Sequence, residues 1–404
     1  MELYDFLEAL ILAPTPSGFE SLGRERILEL VKEYVPDFFD ESLVLKSGSL
    51  LFHKAAKKKN AKKAVLDAHI DTIGFAVSEI CDGGFVKVTN LGGIDPFILP
   101  SARVKLYGKK VIDGVFTSVP PHLASASDKS ELKISDLYVD TALSDENLRK
   151  YVEIGTPGTF AMPVCMLENR VVASHSLDDK ACAATLLEAC KVLLICGKES
   201  ECDLYIHLSV GEEKTGLGAA TLPYVIPDAD ACIVTDVNFA KCAGVKDYEA
   251  LTMSAGPGIS LSASTNRELS EFIENTAKKN NIPVQTVVEM RSTGTNATRI
   301  HKNGIPCAVL SLPLKNMHTD CECVSLCDIE SCARLLASVL ISFDSCPTGE
   351  VILKKKKKKV IPQKTINYLK NLIKIQRELP DQTHVKAQQP YRLKKPDKLQ
   401  KAAN

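Results

Sequence analysis

Residues 181–237 decide the fold, because they read ACAATLLEACKVLLIC (181–196), LYIHLSV (204–210), GAATLPYV (218–225) and ACIVTDV (231–237). The first and third segments have the apolar spacing of helices, whereas the second and fourth are short apolar runs typical of strands. Strands that alternate with helices predict an α/β fold, with a mostly parallel sheet flanked by helices.

The pattern changes between about residues 74 and 163. Short β-type runs such as ARVKLYG (102–108) and KKVIDGVF (109–116) alternate there with turn residues. This texture predicts a small β-rich domain, residues 74–163, inserted into a larger α/β domain that is formed by residues 1–73 and 164–345.

The C-terminal region is strongly basic, although the whole chain holds 50 basic and 50 acidic residues. From Ser345 onward there are 16 Lys and Arg against 4 acids, a net charge of +12. We expect residues 346–404 to form a basic, largely disordered tail. An arm that binds nucleic acid, an anionic membrane or a partner is the alternative for this tail.

The bulk composition is that of an ordinary globular protein, with 45% hydrophobic residues. The first residues, MELYDFLEAL, carry acids rather than the basic start of a signal peptide, and no apolar run approaches about 18 residues. These features predict a cytoplasmic protein with no membrane span and no specific nucleic-acid partner. The 14 cysteines are then expected to be reduced thiols.

Ionisable side chains of metal-binding type stand at the ends of successive apolar runs. They are His69, Asp178 (just before a helix), the Glu212–Glu213 pair, Asp236 and His318. In an open α/β sheet, ligands bind beyond the carboxyl ends of the strands, where these side chains would meet. Any one of them alone is usually structural, but their joint occurrence predicts a site for two divalent ions.

The chemistry of a two-ion site suggests a role for each of these residues. Asp178 would bridge the ions, His69 and Asp236 would complete one site, and Glu213 and His318 would complete the other. Two such ions polarise a carbonyl group and lower the pKa of water. The adjacent Glu212 is the candidate general base. Asp71 is placed to accept the second ring N–H of His69, which would orient the ring.

Several motifs resemble, in order and spacing, those of the dinuclear metallo-aminopeptidases of the tetrahedral, or deblocking and glutamyl, aminopeptidase family. The motifs are AHIDTIGF (68–75), SLDDKACAA (176–184), GEEKTGLGAA (211–220), TDVNFA (235–240), RSTGTNATRIHKNGIP (291–306) and LPLKNMHTDCE (312–322). The resemblance covers about residues 1–345. It implies the same metal ligands, with Glu212 as the base and Asp71 as the catalytic-site Asp.

The resemblance also implies the fold and activity of that family. Residues 1–73 and 164–345 would form a catalytic domain of the dinuclear zinc exopeptidase type, and residues 74–163 would form a PDZ-like dimerisation domain. The implied activity is a cytosolic exopeptidase that removes N-terminal residues from peptides with two zinc or cobalt ions. The implied assembly is a dimer-based homo-oligomer that often reaches a hollow dodecamer.

Three residues depart from the family pattern near the expected site. Thr72 stands where Glu is usual, Lys180 where Arg is usual, and Asn296 where Asp or a small residue is common. The alternatives to an aminopeptidase are a related dinuclear amide hydrolase and a catalytically idle scaffold. Some relatives also carry endoglucanase labels, but a glycosidase needs paired carboxylates that are free of metal, whereas here the carboxylates are interleaved with histidines.

Overall fold

The computed structural model describes residues 1–118, 132–289 and 293–347. Its helices are α1 (Leu3–Leu12), α2 (Ser21–Tyr34), α3 (Asp145–Leu148), α4 (Leu177–Ile195), α5 (Leu217–Val225), α6 (Arg267–Lys279), α7 (Ala297–Lys302) and α8 (Leu326–Ile341). Its strands are β1 (Glu41–Val44), β2 (Leu50–Lys54), β3 (Lys63–His69), β4 (Gly74–Ile80), β5 (Phe85–Leu91), β6 (Arg103–Tyr107), β7 (Val111–Phe116), β8 (Val139–Asp140), β9 (Pro157–Phe160), β10 (Cys165–Leu167), β11 (Val171–Ser174), β12 (Asp203–Ser209), β13 (Ala231–Phe239), β14 (Gly258–Leu261), β15 (Gln285–Val288), β16 (Cys307–Lys315) and β17 (Glu322–Ser325).

The main sheet is mixed, with a parallel centre. In the described part of the chain, nine of its strands lie in the order β1-β2-β12-β3-β13-β16-β17-β11-β10, and β14 and β15 branch from β16. The four strands β12, β3, β13 and β16 run parallel. The outer strands of the order pair antiparallel, and of the two branching strands β14 pairs antiparallel with β16 but parallel with β15. The predicted parallel sheet is therefore confirmed at its centre. The edges differ because their connections, such as residues 316–321, are too short for a parallel crossover.

Helices cover both faces of this sheet. The larger apolar core packs α1, α2, α4, α6 and α8 against one face, and a smaller core packs α5 and α7 against the other. Successive residues of the central strands alternate between the two cores: Leu66 faces the larger one and Val65 the smaller one. Burial on both faces explains why these strands have continuous apolar sequences rather than an alternating pattern.

A second sheet closes into a small barrel of strands β4-β5-β8-β7-β6-β9. Every strand pair in it is antiparallel. The barrel has its own apolar core, in which Phe75 packs edge-on against Phe116 and Phe160. The predicted β-rich segment is therefore a compact barrel, while its PDZ-like character and its role in dimerisation stay predictions.

Two further expectations concern the ends of the chain and the membrane. Of the predicted basic tail, only residues 346 and 347 fall inside the described ranges. Among the helices that the structure describes, none has both the length and the apolar character needed to cross a membrane.

Candidate metal centre

The parallel strands bring the predicted residues to one edge of the sheet. His69 is the last residue of β3, and the Glu212–Glu213 pair follows the end of β12. Asp236 lies within β13, three residues before its end, because this strand continues past the run that marks it in the sequence. His318 follows β16, and Asp178 lies in the irregular first turn of α4.

These side chains form two groups of three that share Asp178. One group is His69, Asp178 and Asp236, and the other is Asp178, Glu213 and His318. In each group, one potential ligand atom per residue lies within 4.8 Å of the others. The two carboxylate oxygens of Asp178 face different histidines: Oδ1 lies 3.2 Å from His69 Nε2, and Oδ2 lies 3.4 Å from His318 Nε2. A carboxylate that is shared between two such groups suits two neighbouring divalent ions.

The ring of His69 is oriented by the main chain. Its Nδ1 lies 2.9 Å from the carbonyl oxygen of Asp71, but 3.6 Å from the carboxylate of that residue. A bond from Nδ1–H to the carbonyl leaves Nε2 free as a ligand. The expected partner is therefore correct as a residue, but the contact is made by its backbone oxygen.

The carboxylate of Asp71 binds the backbone of the glutamate pair rather than the ring of His69. It accepts hydrogen bonds from the backbone N–H groups of Glu212, at 2.9 Å, and Glu213, at 3.2 Å. Burial opposes ionisation here, but the neighbouring His69 holds the pKa of Asp71 below its usual value. Asp71 thus stays charged and fixes the turn on which the glutamate pair stands.

A second buried carboxylate, Glu322, supports the site from the other side. Its Oε2 accepts the N–H of Asp178 at 3.0 Å, and its Oε1 accepts the N–H of His318 at 2.9 Å. The side chain lies on β17, next to the strand that leads to His318. Glu322 therefore ties together two residues that are far apart in the sequence.

The charges of the site are unbalanced in favour of acids. Burial raises the pKa of Asp236 well above its usual value, and burial together with Asp178 raises the pKa of Glu213 to about 8. The Asp178 carboxylate raises the pKa of His318 to about 9. Buried carboxylates that lie close together stay ionised only when a positive charge is nearby. A mixed set of carboxylate and imidazole groups suits divalent ions, which would supply that charge. The residues present therefore fit two such ions.

Glu212 lines the site but belongs to neither group of three. Burial raises the pKa of its carboxyl group above the usual value. Its position beside Glu213, fixed by Asp71, places a proton acceptor at the edge of the two groups.

The site opens into a cavity of about 690 Å³. Gly93, which follows β5 of the barrel, lines this cavity, and a Cβ atom on it would lie 3.1 Å from His318 Nδ1. A Cβ atom on the preceding Gly92 would lie 3.2 Å from Glu213 Oε2. The lining also includes Phe239, Glu289 and, on α7, Arg299 and Lys302. The barrel and the α/β domain thus both contribute to the cavity.

A buried polar network lies beneath the cavity, between the sheet and α7. Asn296 Nδ2 donates to Asp67 Oδ1 and to Ser209 Oγ, both at 2.8 Å. The other oxygen of Asp67 lies 2.6 Å from His207 Nδ1. The amide of Asn296 can donate to Asp67, which the carboxylate of an Asp could not do.

The other two departures from the family pattern are also buried. Lys180 lies fully inside, where its Nζ donates to the carbonyl of Ala13 at 3.3 Å and burial lowers its pKa to about 7. Thr72 donates its N–H to the carbonyl of Thr15 at 2.9 Å. Neither side chain lines the cavity.

Comparison with known proteins adds a family to this geometry. The family model of the M42 glutamyl aminopeptidases matches residues 48–335, which is well over half of the chain. The chain belongs to the M42 glutamyl aminopeptidase family. It is therefore a hydrolase of the aminopeptidase class, and the metal dependence of the M42 family agrees with the two carboxylate–histidine groups.

Individual M42 aminopeptidases resemble the chain over most of its length. It is 32% identical over 344 residues to the lysyl aminopeptidase of Pyrococcus furiosus, and the match covers 83% of this chain and 96% of that one. The TET aminopeptidase from the marine sediment archaeon Thaumarchaeota archaeon SCGC AB-539-E09 superposes with a TM-score of 0.77 at 32% identity, over 84% of this chain and 95% of that chain. The Pyrococcus horikoshii TET1 peptidase, described as assembling into a tetrahedron or a large octahedral shell, superposes with a TM-score of 0.73 at 26% identity, over 84% and 99% of the two chains.

Proposed function

We propose that the chain is an aminopeptidase that hydrolyses N-terminal residues from peptides with two divalent ions and a glutamate general base. The observation that carries this proposal is the pair of ligand groups that share Asp178 and open into one cavity. His69 and Asp236 would hold one ion, and Glu213 and His318 would hold the other. Zinc and cobalt both suit carboxylate and imidazole ligands.

The ions and Glu212 would have different roles in peptide hydrolysis. Two bound ions supply Lewis-acid polarisation of the scissile carbonyl and make a water molecule easier to deprotonate. Glu212 would accept the proton of that water and pass it to the leaving amine. Its raised pKa makes it a better proton acceptor than an exposed glutamate.

Asp71 and Glu322 would act by positioning. Asp71 holds the backbone of Glu212 and Glu213 with its carboxylate, and holds the ring of His69 with its carbonyl oxygen. Glu322 holds the backbone of Asp178 and His318. Together these contacts fix four of the five proposed ligands and the proposed base, so little reorganisation is needed during the reaction.

The assembly of the chain is proposed by analogy. The P. horikoshii relative is described as a tetrahedron or an octahedral shell, and we infer a dimer-based homo-oligomer, of the dodecamer type, for this chain. The barrel would serve as the dimerisation domain.

The decisive experiment measures release of p-nitroaniline from a panel of aminoacyl-p-nitroanilides. Purified protein is loaded with Zn²⁺ or Co²⁺ and compared with protein treated with a chelator, and bound metal is counted by mass spectrometry. We expect metal-dependent release from a subset of the panel and two ions per chain. Two bound ions without release from any substrate would contradict the proposal and would favour another amide substrate or an idle scaffold.

A further inference from the structure

We propose that Arg299, with Lys302 one turn further along α7, binds a carboxylate group of the substrate. This inference rests on the proposed peptidase function and names the substrate chemistry that the cavity selects. Both side chains line the cavity that holds the two ligand groups. They add positive charge to a lining that also contains the carboxylates and histidines of the two ligand groups.

The guanidinium of Arg299 lies against Gly216. Gly216 has a φ of +63°, and a Cβ atom built on it would come within 1.8 Å of Arg299 Nε. Only a glycine leaves room for the arginine in this arrangement. Gly216 lies in the same short loop as Glu212 and Glu213, so the guanidinium lies against the loop that carries the proposed base.

The helix that carries Arg299 is fixed to the metal-binding strands. Asn296, directly before α7, donates to Asp67 of β3 and to Ser209 of β12 at 2.8 Å each. These two strands lead to His69 and to the glutamate pair. The start of α7, which carries the two cations, is therefore held to the metal-binding strands by buried hydrogen bonds.

Within the described ranges, neither Arg299 nor Lys302 forms an ion pair with an acidic side chain, whereas Arg26, Arg149 and Arg267 on other helices all do. Glu289, an acid that also lines the cavity, accepts a hydrogen bond from Asn238 Nδ2 at 2.9 Å instead. An unpaired guanidinium in a cavity presents a planar set of donors that matches a carboxylate. Arg299 and Lys302 are thus available to bind an anionic group of the substrate.

Two substrate groups have this chemistry. One is the side chain of an N-terminal Asp or Glu, and the other is the C-terminal carboxylate of a short peptide. Both would be attracted to the two cations while the scissile bond lies beside the proposed metal ligands. Substrates that have neither carboxylate lack this interaction.

The test compares kcat/KM for paired substrates that differ in one charge. Glu-p-nitroanilide is paired with Gln-p-nitroanilide, and the dipeptide Leu-Gly is paired with Leu-Gly amide. Arg299→Gln should lower kcat/KM for the charged member of at least one pair by about 10- to 100-fold relative to the neutral member, the range expected for a charge-assisted hydrogen bond. A selective loss in the first pair identifies the side chain as the source of the carboxylate, and a selective loss in the second identifies the C-terminus.

Arg334→Gln is the matched control, because Arg334 is exposed on α8 and does not line the cavity. It should leave all four values unchanged. Equal effects of Arg299→Gln on both members of both pairs, or no effect, would overturn the inference.

A binding measurement separates this inference from the proposed function. Calorimetric titration of the same four compounds into a Glu212→Gln background, with and without Arg299→Gln, reports affinity without turnover. Charge-selective binding that depends on Arg299 supports the inference even if the wild-type protein hydrolyses none of the compounds, in which case the proposed function fails alone. Release from neutral substrates without charge-selective binding would support the proposed function and refute the carboxylate site.

Discussion

Glu322 offers a sharp test of how the metal site is supported. Its two carboxylate oxygens accept the N–H groups of Asp178 and His318, and the side chain is buried. In Glu322→Gln the size of the side chain is kept, but one acceptor oxygen becomes an NH₂ donor. One of the two backbone N–H groups then loses its acceptor inside the protein, which costs about 1–3 kcal/mol. The same residues are proposed ligands, so the metal affinity should fall roughly 10- to 100-fold.

The assay is competition for Zn²⁺ or Co²⁺ with a chromophoric chelator, followed by urea unfolding of the metal-free protein. Glu330→Gln serves as the control, because Glu330 is an exposed partner of Arg170 away from the cavity. It should leave the metal affinity unchanged. If Glu322→Gln bound metal as tightly as the wild type, the backbone positions of the two ligands would not depend on Glu322, and the reasoning would be refuted.

Three further predictions follow from the same geometry. Glu212→Gln should keep two bound ions but lower kcat by about 10²- to 10⁴-fold, measured by p-nitroaniline release and metal analysis, and full activity would exclude Glu212 as the base. Without metal, burial raises the pKa of Glu213 from 4.5 to about 8, so between these values the unfolded chain loses a proton that the folded chain keeps. The unfolding free energy of the metal-free, chelator-treated protein should therefore fall as pH rises from 4.5 to about 8, by up to roughly 1.4 kcal/mol per pH unit. Bound metal should remove this effect. Urea titrations in which the stability rises over this pH range would contradict the prediction. Asn296→Asp should destabilise the protein by about 1–3 kcal/mol, because a carboxylate would replace the donor that faces Asp67. Asn296→Ala should destabilise the protein less. Equal stability of the Asp variant and the wild type in urea unfolding would show that Asp67 does not need this donor.

The central part of the fold could be predicted because its signals are local. The apolar runs that end in His69 and Glu212–Glu213 are buried on both faces, and burial on both faces is what produces an uninterrupted apolar run. Parallel strands place their carboxyl ends at one edge of the sheet, so the sequence alone predicted that the proposed ligands lie close together. The antiparallel edge strands carry weaker patterns: β10 and β11 have only 3 and 4 residues.

The supporting contacts could not be predicted, because they depend on pairings between distant residues. Glu322 lies 144 residues from Asp178, and nothing in its local sequence distinguishes it from a surface glutamate. The short helix α7 has only 6 residues, too few for a periodic signal. The orientation of His69 by a backbone oxygen, rather than by the Asp71 carboxylate, depends on main-chain geometry that residue types do not encode.

The glycines at residues 92 and 93 bear on attempts to engineer a minimal enzyme. They belong to the barrel, yet their backbone lies close against Glu213 and His318. Excision of residues 74–163 would therefore remove Gly93 from the lining of the cavity, together with the close packing of Gly92 beside Glu213. Swapping in a barrel from a relative would likewise have to reproduce this two-glycine contact. The barrel segment thus contributes directly to the surroundings of the proposed metal ligands.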